Sequence, residues 1–392
     1  MGLHAAIAWG PGPHGTTRLY WANMTSPGCG SGRFSLTTSH SDDEGATWSR
    51  LRVVRDTPPW VGGFPDIAVD HDPRSPNFGT VYVAYNWQGG PARGPGFRLL
   101  ASSDHGNTWH GVEIAPARLA SCARDWWRIA YRVRPAPDGS VYTSWYQVDL
   151  RRRDPTNIFA KGGPGNVQRL GVVTAGISFD RRHGTFRVGP SRVAARVRET
   201  GWTTAGWSAP GTGGEIRPDP IWQYGFDIDA EGRLFVAVAG YGVSRNGGPR
   251  GSISVSTSED GGRTWSSSIL PAAPSRGRIQ QSSLRPSLVA GHDGIIVTFR
   301  TLDDDGAGAT MGIAATFSVD GGLTWQVPVA ASHVRWSAAD LDGVTNGMGL
   351  RERAERMADG SVLWAFGDGR LARRPYPGRT AIFAVLLRIE AH

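Results

Sequence analysis

Short segments rich in strand-forming residues recur in pairs along the chain. A tight polar turn separates the two members of four pairs, and a longer connection separates those of the two N-terminal pairs. Residues 128–134 and 140–146 flank a Pro-Asp-Gly turn, for example, and residues 285–290 and 295–300 flank a His-Asp-Gly turn. The other pairs are residues 4–9 with 18–23, 66–70 with 80–85, 223–229 with 233–239, and 349–356 with 361–366. Because such turns favour antiparallel pairing, the pattern predicts an all-β chain built of six similar units.

An octapeptide with the pattern Ser-x-Asp-x-Gly-x-Thr-Trp follows several of these strand pairs. It occurs without a mismatch at residues 41–48, 102–109, 258–265 and 318–325, and an altered copy covers residues 178–186. The aspartate can accept hydrogen bonds from amides ahead of it, the glycine supplies a positive φ, and threonine and tryptophan favour the strand that follows. The octapeptide is therefore a structural repeat, and we assign it no catalytic role.

The octapeptide resembles the Asp-box, or BNR repeat, of the sialidase (neuraminidase) superfamily. In that superfamily the Asp-box joins the third and fourth strands of a β-propeller blade. The resemblance implies one six-bladed β-propeller domain over residues 1–392, in which five blades carry the box and the sixth, ending at residues 380–389, does not. The blades are predicted at residues 2–56, 63–117, 126–193, 217–274, 281–334 and 343–391.

The lengths of the connections indicate which face of such a propeller carries a site. The turn between the first two strands of a blade and the octapeptide turn lie on one face, and both are tight. The connections on the opposite face are long, as at residues 147–167 and 194–221. Long loops on a rigid scaffold are where function usually resides, and sialidases use this same face. We therefore expect the site on the long-loop face.

The innermost strands start on the long-loop face, so their first residues are predicted to line a central funnel. When these strands are aligned on their turn glycines, Gln223, Arg285 and Arg351 fall in one column, and Arg128 lies close to it. The other predicted substrate-binding residues are Asp125, Trp126, Trp127, Trp222 and Asn346. Arginine binds carboxylates through paired hydrogen bonds, so this set predicts an acidic sugar. The alternative role for each arginine is an ion pair with an acid of the next blade.

The resemblance to sialidases also implies a tyrosine nucleophile activated by a glutamate, with an aspartate as the acid/base. Tyr224 is the best-placed tyrosine, Asp66 is the early funnel aspartate, and Glu352 or Glu215 would partner the tyrosine. The chain departs from the family in two respects. It lacks the Arg-Ile-Pro-type motif before its first octapeptide, and its late tyrosine, Tyr376, lies in a loop segment.

Three functions therefore remain open at this point. The first is a sialidase-like glycoside hydrolase that acts on an acidic glycan. The second is a polysaccharide lyase, in which Tyr224 or His333 removes the proton next to a uronate carboxylate while arginine neutralises that carboxylate. The third is a non-catalytic propeller that binds glycans or proteins, for which the 16 tryptophans suffice.

Composition narrows the range of partners. The formal net charge is +8, and the 42 basic residues include a single lysine, Lys161. This arginine bias reflects either the base composition of the genome or an acidic ligand. The basic residues form no run with interleaved aromatics, which argues against nucleic acid. No apolar run approaches the roughly 20 residues that a membrane helix needs.

Only short features of the sequence bear on metal binding and on the cellular compartment of the protein. The acidic run at residues 303–305 resembles a calcium loop, although a solvated turn is its commoner role, and no organic cofactor is predicted. Cys29 and Cys122 form either one disulfide or two free thiols. No signal peptide is evident in the first residues, and we expect a secreted or cell-surface protein.

Overall fold

The structure, a computed structural model, consists almost entirely of β-strands. It describes residues 2–25, 35–54, 61–88, 95–115, 126–149, 169–198, 207–208, 215–216, 224–243, 249–273, 280–304, 309–332, 334–337, 353–357, 359–368 and 381–388. These residues form six sheets of three to five strands and one two-stranded ribbon. Each of the six sheets is called a blade below, numbered in chain order. The chain divides into two compact units, described here one at a time.

The first unit, Met1–Arg151 with Val172–Val193, contains blades 1 to 3. Blade 1 consists of β1 (Gly2–Pro11), β2 (Thr17–Thr25), β3 (Ser35–Ser41) and β4 (Arg52–Val53), and a short 3-10 helix, Pro13–Gly15, lies between β1 and β2. Blade 2 consists of β5 (Val61–Val69), β6 (Val81–Gln88), β7 (Pro95–Ser102) and β8 (His110–Ala115). Blade 3 consists of β9 (Trp126–Pro135), β10 (Ser140–Asp149), β11 (Arg169–Asp180) and β12 (Thr185–Val188), and β13 (Arg192–Arg198) also pairs with β11.

The second unit, Arg152–Gly171 with Ala194–His392, contains the ribbon of β14 (Trp207–Ser208) and β15 (Glu215–Ile216) and blades 4 to 6. Blade 4 consists of β16 (Gly225–Ile228), β17 (Leu234–Val243), β18 (Pro249–Ser258) and β19 (Ser266–Ile269). Blade 5 consists of β20 (Gln280–Gly291), β21 (Gly294–Asp304), β22 (Ala309–Ser318) and β23 (Val329–Ala330), and β24 (Trp336–Ser337) also pairs with β22. Blade 6 consists, among the described residues, of β25 (Arg353–Arg356), β26 (Val362–Asp368) and β27 (Ala381–Leu387).

The second strand of blade 2 reads as a nearly continuous apolar run because blades 1 and 3 cover the two faces of its sheet. Residues 81–85 of β6 are each 0% exposed, and residues 234–239 of β17 are each at most 1% exposed. Within the first unit, the ring of Phe97 in blade 2 stacks on Tyr131 of blade 3, with 4.2 Å between the ring centroids. Burial of apolar surface contributes roughly 25 cal/mol per Å², so these facing surfaces form the core of each unit.

The four exact octapeptides adopt one turn with one pattern of hydrogen bonds. In blade 1, the Ser41 hydroxyl donates to Asp43 Oδ1 (2.7 Å) and accepts the N–H of Gly45 (2.8 Å). Asp43 accepts the N–H of Thr47 at Oδ1 (2.8 Å) and the Thr47 hydroxyl at Oδ2 (2.6 Å). The same four bonds recur in blades 2, 4 and 5. Every copy, including the altered one in blade 3, joins the third and fourth strands of its blade, as predicted.

The fourth position of this turn has a positive φ in every exact copy. Glu44 (φ 57°) and His105 (φ 60°) occupy it in blades 1 and 2, whereas Gly261 and Gly321 occupy it in blades 4 and 5. The left-handed region costs a residue other than glycine roughly 1–2 kcal/mol. The turns of blades 1 and 2 are therefore strained at this position, and those of blades 4 and 5 are not.

We expect Glu44→Gly to raise the free energy of unfolding by about 0.5–1 kcal/mol, because part of the relieved strain is offset by the greater freedom of glycine in the unfolded chain. Glu44 is exposed, so the change disturbs no core contact. Urea denaturation measures the difference. Gly261→Ala is the reverse control and should lower the stability by about 1 kcal/mol. A lower midpoint for Glu44→Gly would contradict the explanation.

Candidate functional site

The inner strands of blades 2, 3 and 5 share one irregularity. In each, two residues of the first strand lie opposite a single residue of the second strand. The doubled residues are Phe64-Pro65, Ala130-Tyr131 and Arg285-Pro286, and the single residues opposite them are Tyr85, Trp145 and Phe299. Bulges of this kind re-aim side chains and are frequent next to active sites. Within each unit, the bulge marks the middle of these inner strands as a candidate position for ligand binding.

Arg285 has the most unusual backbone in the bulges. Its φ is 52°, and the other non-glycine residues with positive φ among those described, His14, Glu44 and His105, all lie between strands. Arg285 lies within a strand instead, and it is 2% exposed. Backbone strain at a residue with binding chemistry is typical of ligand sites. Of the predicted substrate-binding residues, Arg285 is therefore the one with the clearest structural signature.

Asp66 joins blade 2 to blade 3. Its carboxylate, which is 2% exposed, accepts the N–H of Val133 at Oδ2 (2.9 Å) and a hydrogen bond from Nη1 of Arg134 (3.3 Å). These contacts give Asp66 a structural role at the seam between two blades. The role of acid/base stays a prediction for this residue.

Ser287 holds the corresponding place in blade 5, and sequence reasoning missed it. Its hydroxyl accepts the N–H of Ala354 in blade 6 (3.1 Å), and it follows its bulge directly, as Asp66 does. Asp227 of blade 4 likewise accepts the N–H of Ala290 in blade 5 (2.9 Å). The signal in the sequence is a proline followed by a residue with a side-chain acceptor, at Pro65-Asp66 and Pro286-Ser287.

Tyr224 directly precedes β16 and is 1% exposed, so its ring lies in the interior of the second unit. A tyrosine nucleophile must reach the sugar with its hydroxyl. The structure thus places Tyr224 at the start of an inner strand, as the sequence predicts, and its nucleophilic role stays a prediction.

The remaining predicted site residues divide into two groups. Trp126, Trp127 and Arg128 lie in β9, opposite residues 147–149 of β10, but their side chains lie outside the described part of the structure. Asp125, Trp222, Gln223, Asn346, Arg351 and Glu352 lie outside the described residues, as do His333, Tyr376, Cys29 and Cys122. Glu215, the alternative partner of the tyrosine, pairs with Ser208 in the two-stranded ribbon.

Two of the many arginines donate hydrogen bonds from one blade to the next near the octapeptide turns. Arg18 of blade 1 donates from Nη1 to the carbonyl of His105 in the turn of blade 2 (3.3 Å). Arg181 of blade 3 donates to the carbonyls of Phe78 (2.8 Å) and Ser103 (3.1 Å) in blade 2. Arginine can make several such bonds at once because its donors form a planar fork. These contacts give Arg18 and Arg181 a structural use between blades.

The acidic run at residues 303–305 is only partly described. Asp303 lies in β21, is 5% exposed and forms an ion pair with Arg335, while residue 305 lies outside the described residues. Within the described ranges, no group of three or more His, Cys, Asp or Glu side chains is placed to hold a metal ion. Calcium stays a prediction. Over the same ranges, no helix has the length and apolar character needed to span a bilayer.

Comparison with known proteins finds similarity only among solved structures. No family model and no curated protein matches the chain. An α-L-arabinofuranosidase from Fusarium graminearum, a mutant solved with an iminosugar inhibitor, shares 13% identity over 99% of this chain and 93% of its own, with a TM-score of 0.52. An α-L-arabinanase from Penicillium chrysogenum, solved with arabinobiose, shares 14% identity over 99% and 98%, with a TM-score of 0.48. A sialidase from Trypanosoma rangeli shares 14% identity over 88% of this chain and 49% of its own, with a TM-score of 0.42.

The similarity to the arabinofuranosidase extends over nearly the full length of both chains and agrees with the count of six sheets. The chain is a six-bladed β-propeller. This confirms the fold class predicted from the repeated strand pairs and octapeptides. At 13% identity the similarity concerns the fold alone. Function must be argued from the site, because one fold supports many activities.

Proposed function

We propose that this protein is a carbohydrate-active propeller of the glycoside hydrolase type, which binds an acidic glycan beside the bulges of its inner strands. The observation that carries the proposal is Arg285, a buried arginine on a left-handed backbone within a strand. A guanidinium withdrawn from bulk water binds a carboxylate more strongly than an exposed one does. The arabinofuranosidase that shares the fold adds support for a carbohydrate ligand.

In this proposal the reaction follows the sialidase-like scheme. Tyr224, with Glu352 accepting its proton, attacks the anomeric carbon while Asp66 protonates the leaving oxygen; water then releases the sugar from the tyrosine. Arg285 holds the sugar carboxylate together with Arg128 and Arg351. The residues proposed to line the rest of the site are Asp125, Trp126, Trp127, Trp222, Gln223 and Asn346. A secreted or cell-surface location would bring the enzyme to such glycans.

The first test is the release of fluorophore from an aryl α-sialoside, with an aryl α-L-arabinofuranoside assayed in parallel. We expect release from the sialoside by the native protein, and Arg285→Ala should lower kcat/KM by about 10²-fold or more because the carboxylate loses a charged partner. Tyr224→Phe should abolish the turnover.

Arg181→Ala is the matched control, because Arg181 donates to backbone carbonyls of blade 2 near the octapeptide turn, and this variant should keep full activity. Thermal unfolding of each variant separates loss of the site from loss of the fold. Turnover of the arabinofuranoside alone would show that the substrate is a neutral glycan and not an acidic one. Absence of turnover on both substrates would argue against the hydrolase.

A second candidate, a non-catalytic glycan-binding propeller, is favoured by the contacts of Asp66. Its Oδ2 already accepts two hydrogen bonds at a blade seam, which is a structural use of the proposed acid. Binding of an acidic glycan without turnover, lost in Arg285→Ala, would support this candidate.

A further inference from the structure

The outer part of blade 3 carries a concentration of positive charge. Residues 181–193 contain four arginines, one histidine and no acidic residue, so they contribute +4 to the net charge of +8. The altered octapeptide is part of the cause, because it places Arg181, Arg182 and His183 between its aspartate and its glycine, where each exact copy has a single residue. A bias in base composition would spread arginine along the chain, so this concentration needs a local explanation.

The strand arrangement exposes this charge at the edge of the sheet. β12 is the last strand in the order β9-β10-β11-β12, and β13 pairs with β11 as well. Phe186 and Val188 of β12 pack against the hydrophobic core that blades 2 and 3 form together. Because side chains alternate between the two faces of a strand, Arg187 points away from that core, and it is exposed. Arg192, the first residue of β13, is exposed too.

The side chains of Arg182, Arg187 and Arg192 make no ion pair or hydrogen bond within the part of the chain that the structure describes. The nearby carboxylate of Asp180 is used inside its own turn, where it accepts the N–H of Arg182 (2.9 Å) and lies 2.7 Å from Nδ1 of His183. Arg18 of blade 1, in contrast, is paired with Asp42. The three guanidiniums at the edge of blade 3 are therefore available to an anion from outside.

The spacing of these arginines suits a linear polyanion. Arg182 lies in the turn, Arg187 in β12 and Arg192 in β13, so the charges follow one another along the edge. An extended chain rises about 3.3 Å per residue, so the five residues from Arg187 to Arg192 span up to roughly 16 Å. A polymer with a charge on successive units can contact such a row at several points, and the separate attractions reinforce one another.

The groups around the arginines favour a sugar polymer over nucleic acid. Ser178 lies opposite Arg187 in the pairing of β11 with β12, and Ser178, Thr185 and Ser191 are all exposed. Their hydroxyls can both donate and accept hydrogen bonds, as the hydroxyls of a sugar do. Binding of single-stranded nucleic acid relies on exposed aromatic rings, whereas Phe186, the aromatic residue of this segment, packs against the core.

We propose that the exposed edge of blade 3 that carries Arg182, Arg187 and Arg192 binds a linear acidic polysaccharide, whose successive carboxylates contact the guanidiniums. The edge shares no residue with the site proposed for hydrolysis, and it would keep a polymeric substrate close to the protein. The choice of a polysaccharide rests on the proposed function, whereas the anion-binding edge itself does not.

The experiment is a calorimetric titration of the full chain with polygalacturonate at low ionic strength. Replacing Arg187 and Arg192 together with glutamine should lower the affinity about tenfold, because each arginine near an anionic surface adds to the attraction. Added salt should weaken binding by the native protein more than binding by this edge variant, because salt screens exposed charges. Monomeric galacturonic acid, with one carboxylate, should not distinguish the two proteins.

Replacing Arg50 and Arg263 together with glutamine is the matched control. Both arginines are exposed, they lie after the octapeptide of blade 1 and within that of blade 4, and the double change removes the same net charge. This control should keep the native affinity. An equal loss in the control would show that binding follows net charge alone, and it would overturn the edge as the binding surface.

Native affinity in the edge variant, or a native protein that does not bind polygalacturonate, overturns the proposal. If thermal unfolding shows that the edge variant does not fold, Arg182→Gln should still lower the affinity about threefold, and an unchanged affinity there overturns the edge equally. Tighter binding of duplex DNA or of anionic vesicles by the native protein overturns the choice of a polysaccharide. The edge variant should keep the native kcat/KM on the aryl α-sialoside. Because the titration requires no turnover, a protein that hydrolyses neither aryl glycoside contradicts the proposed function, and the titration still decides the edge.

Discussion

Asp66→Ala is expected to lower the free energy of unfolding by about 3–5 kcal/mol, the range found when one partner of a buried ion pair is removed. The change leaves the N–H of Val133 without its acceptor and the guanidinium of Arg134 without its carboxylate, at a seam where Asp66 is 2% exposed. Urea denaturation followed by tryptophan fluorescence measures the loss.

Two other variants separate the contribution of the hydrogen bond from that of the ion pair. Ser287→Ala removes the equivalent seam bond without breaking an ion pair, and it should cost only about 1–2 kcal/mol. Asp66→Asn keeps an oxygen that can accept the Val133 N–H, so it should be more stable than the alanine variant. A folded, inactive Asp66→Asn would support the role of acid/base. A loss below 1 kcal/mol for Asp66→Ala would show that the seam does not depend on this carboxylate.

Acidification is expected to destabilise the protein progressively between about pH 5 and pH 2. Hydrogen bonds from Thr47 and Thr324 lower the pKa of Asp43 and Asp320 to about 2, and bonds from Thr264 lower the pKa of Asp260. At Asp104 burial opposes the shift, but hydrogen bonds outweigh it and the pKa is again lowered. Unfolded aspartate titrates near 3.9, so the folded state binds fewer protons in this range. Stability is then full above the unfolded pKa and is lost as the pH falls through the folded values.

The urea midpoint, measured at constant ionic strength from pH 7 to pH 3, checks this expectation. Replacing Asp43 and Asp320 together with asparagine should lower the midpoint at pH 7 and flatten its dependence on pH. Asp70 opposes the trend, because burial raises its pKa and protonation therefore favours its folded form. It is one group against eight described aspartates whose pKa is lowered. A midpoint that does not move between pH 7 and pH 3 would exclude the turn aspartates as the acid-sensitive element.

The fold could be predicted because its signals are local. Each octapeptide contains every donor and acceptor of its own turn, so the bonds among Ser41, Asp43, Gly45 and Thr47 follow from eight consecutive residues. The pairing of the first and second strands is equally local, because a short turn sets the register. Because these signals recur along the chain, they predict the number of blades and the turns between third and fourth strands.

The site was less predictable because it depends on contacts between distant residues. Aligning strands on turn glycines placed Arg285 at the start of its strand, whereas the strand begins at Gln280 and Arg285 lies at a bulge in its middle. The alignment assumed regular pairing and missed the bulge. It also gave Asp66 a place in a funnel, whereas its carboxylate accepts an N–H from a residue 67 positions later in the chain. Nothing within either strand reveals such a partner. The prolines before Asp66 and Ser287 were the available sign, since proline inside a strand favours an edge or a bulge.

The seam bonds also have a direction along the chain. In each of the three described here, the accepting side chain belongs to the earlier blade and the N–H to the later one: Asp66 to Val133, Asp227 to Ala290, and Ser287 to Ala354. During synthesis the acceptor therefore leaves the ribosome before the inner strand that donates to it. Within each unit this favours assembly from the N-terminal blade onward. A chain stalled after blade 5 would present Ser287 as an acceptor at its newest edge, ready for the strand still to be made.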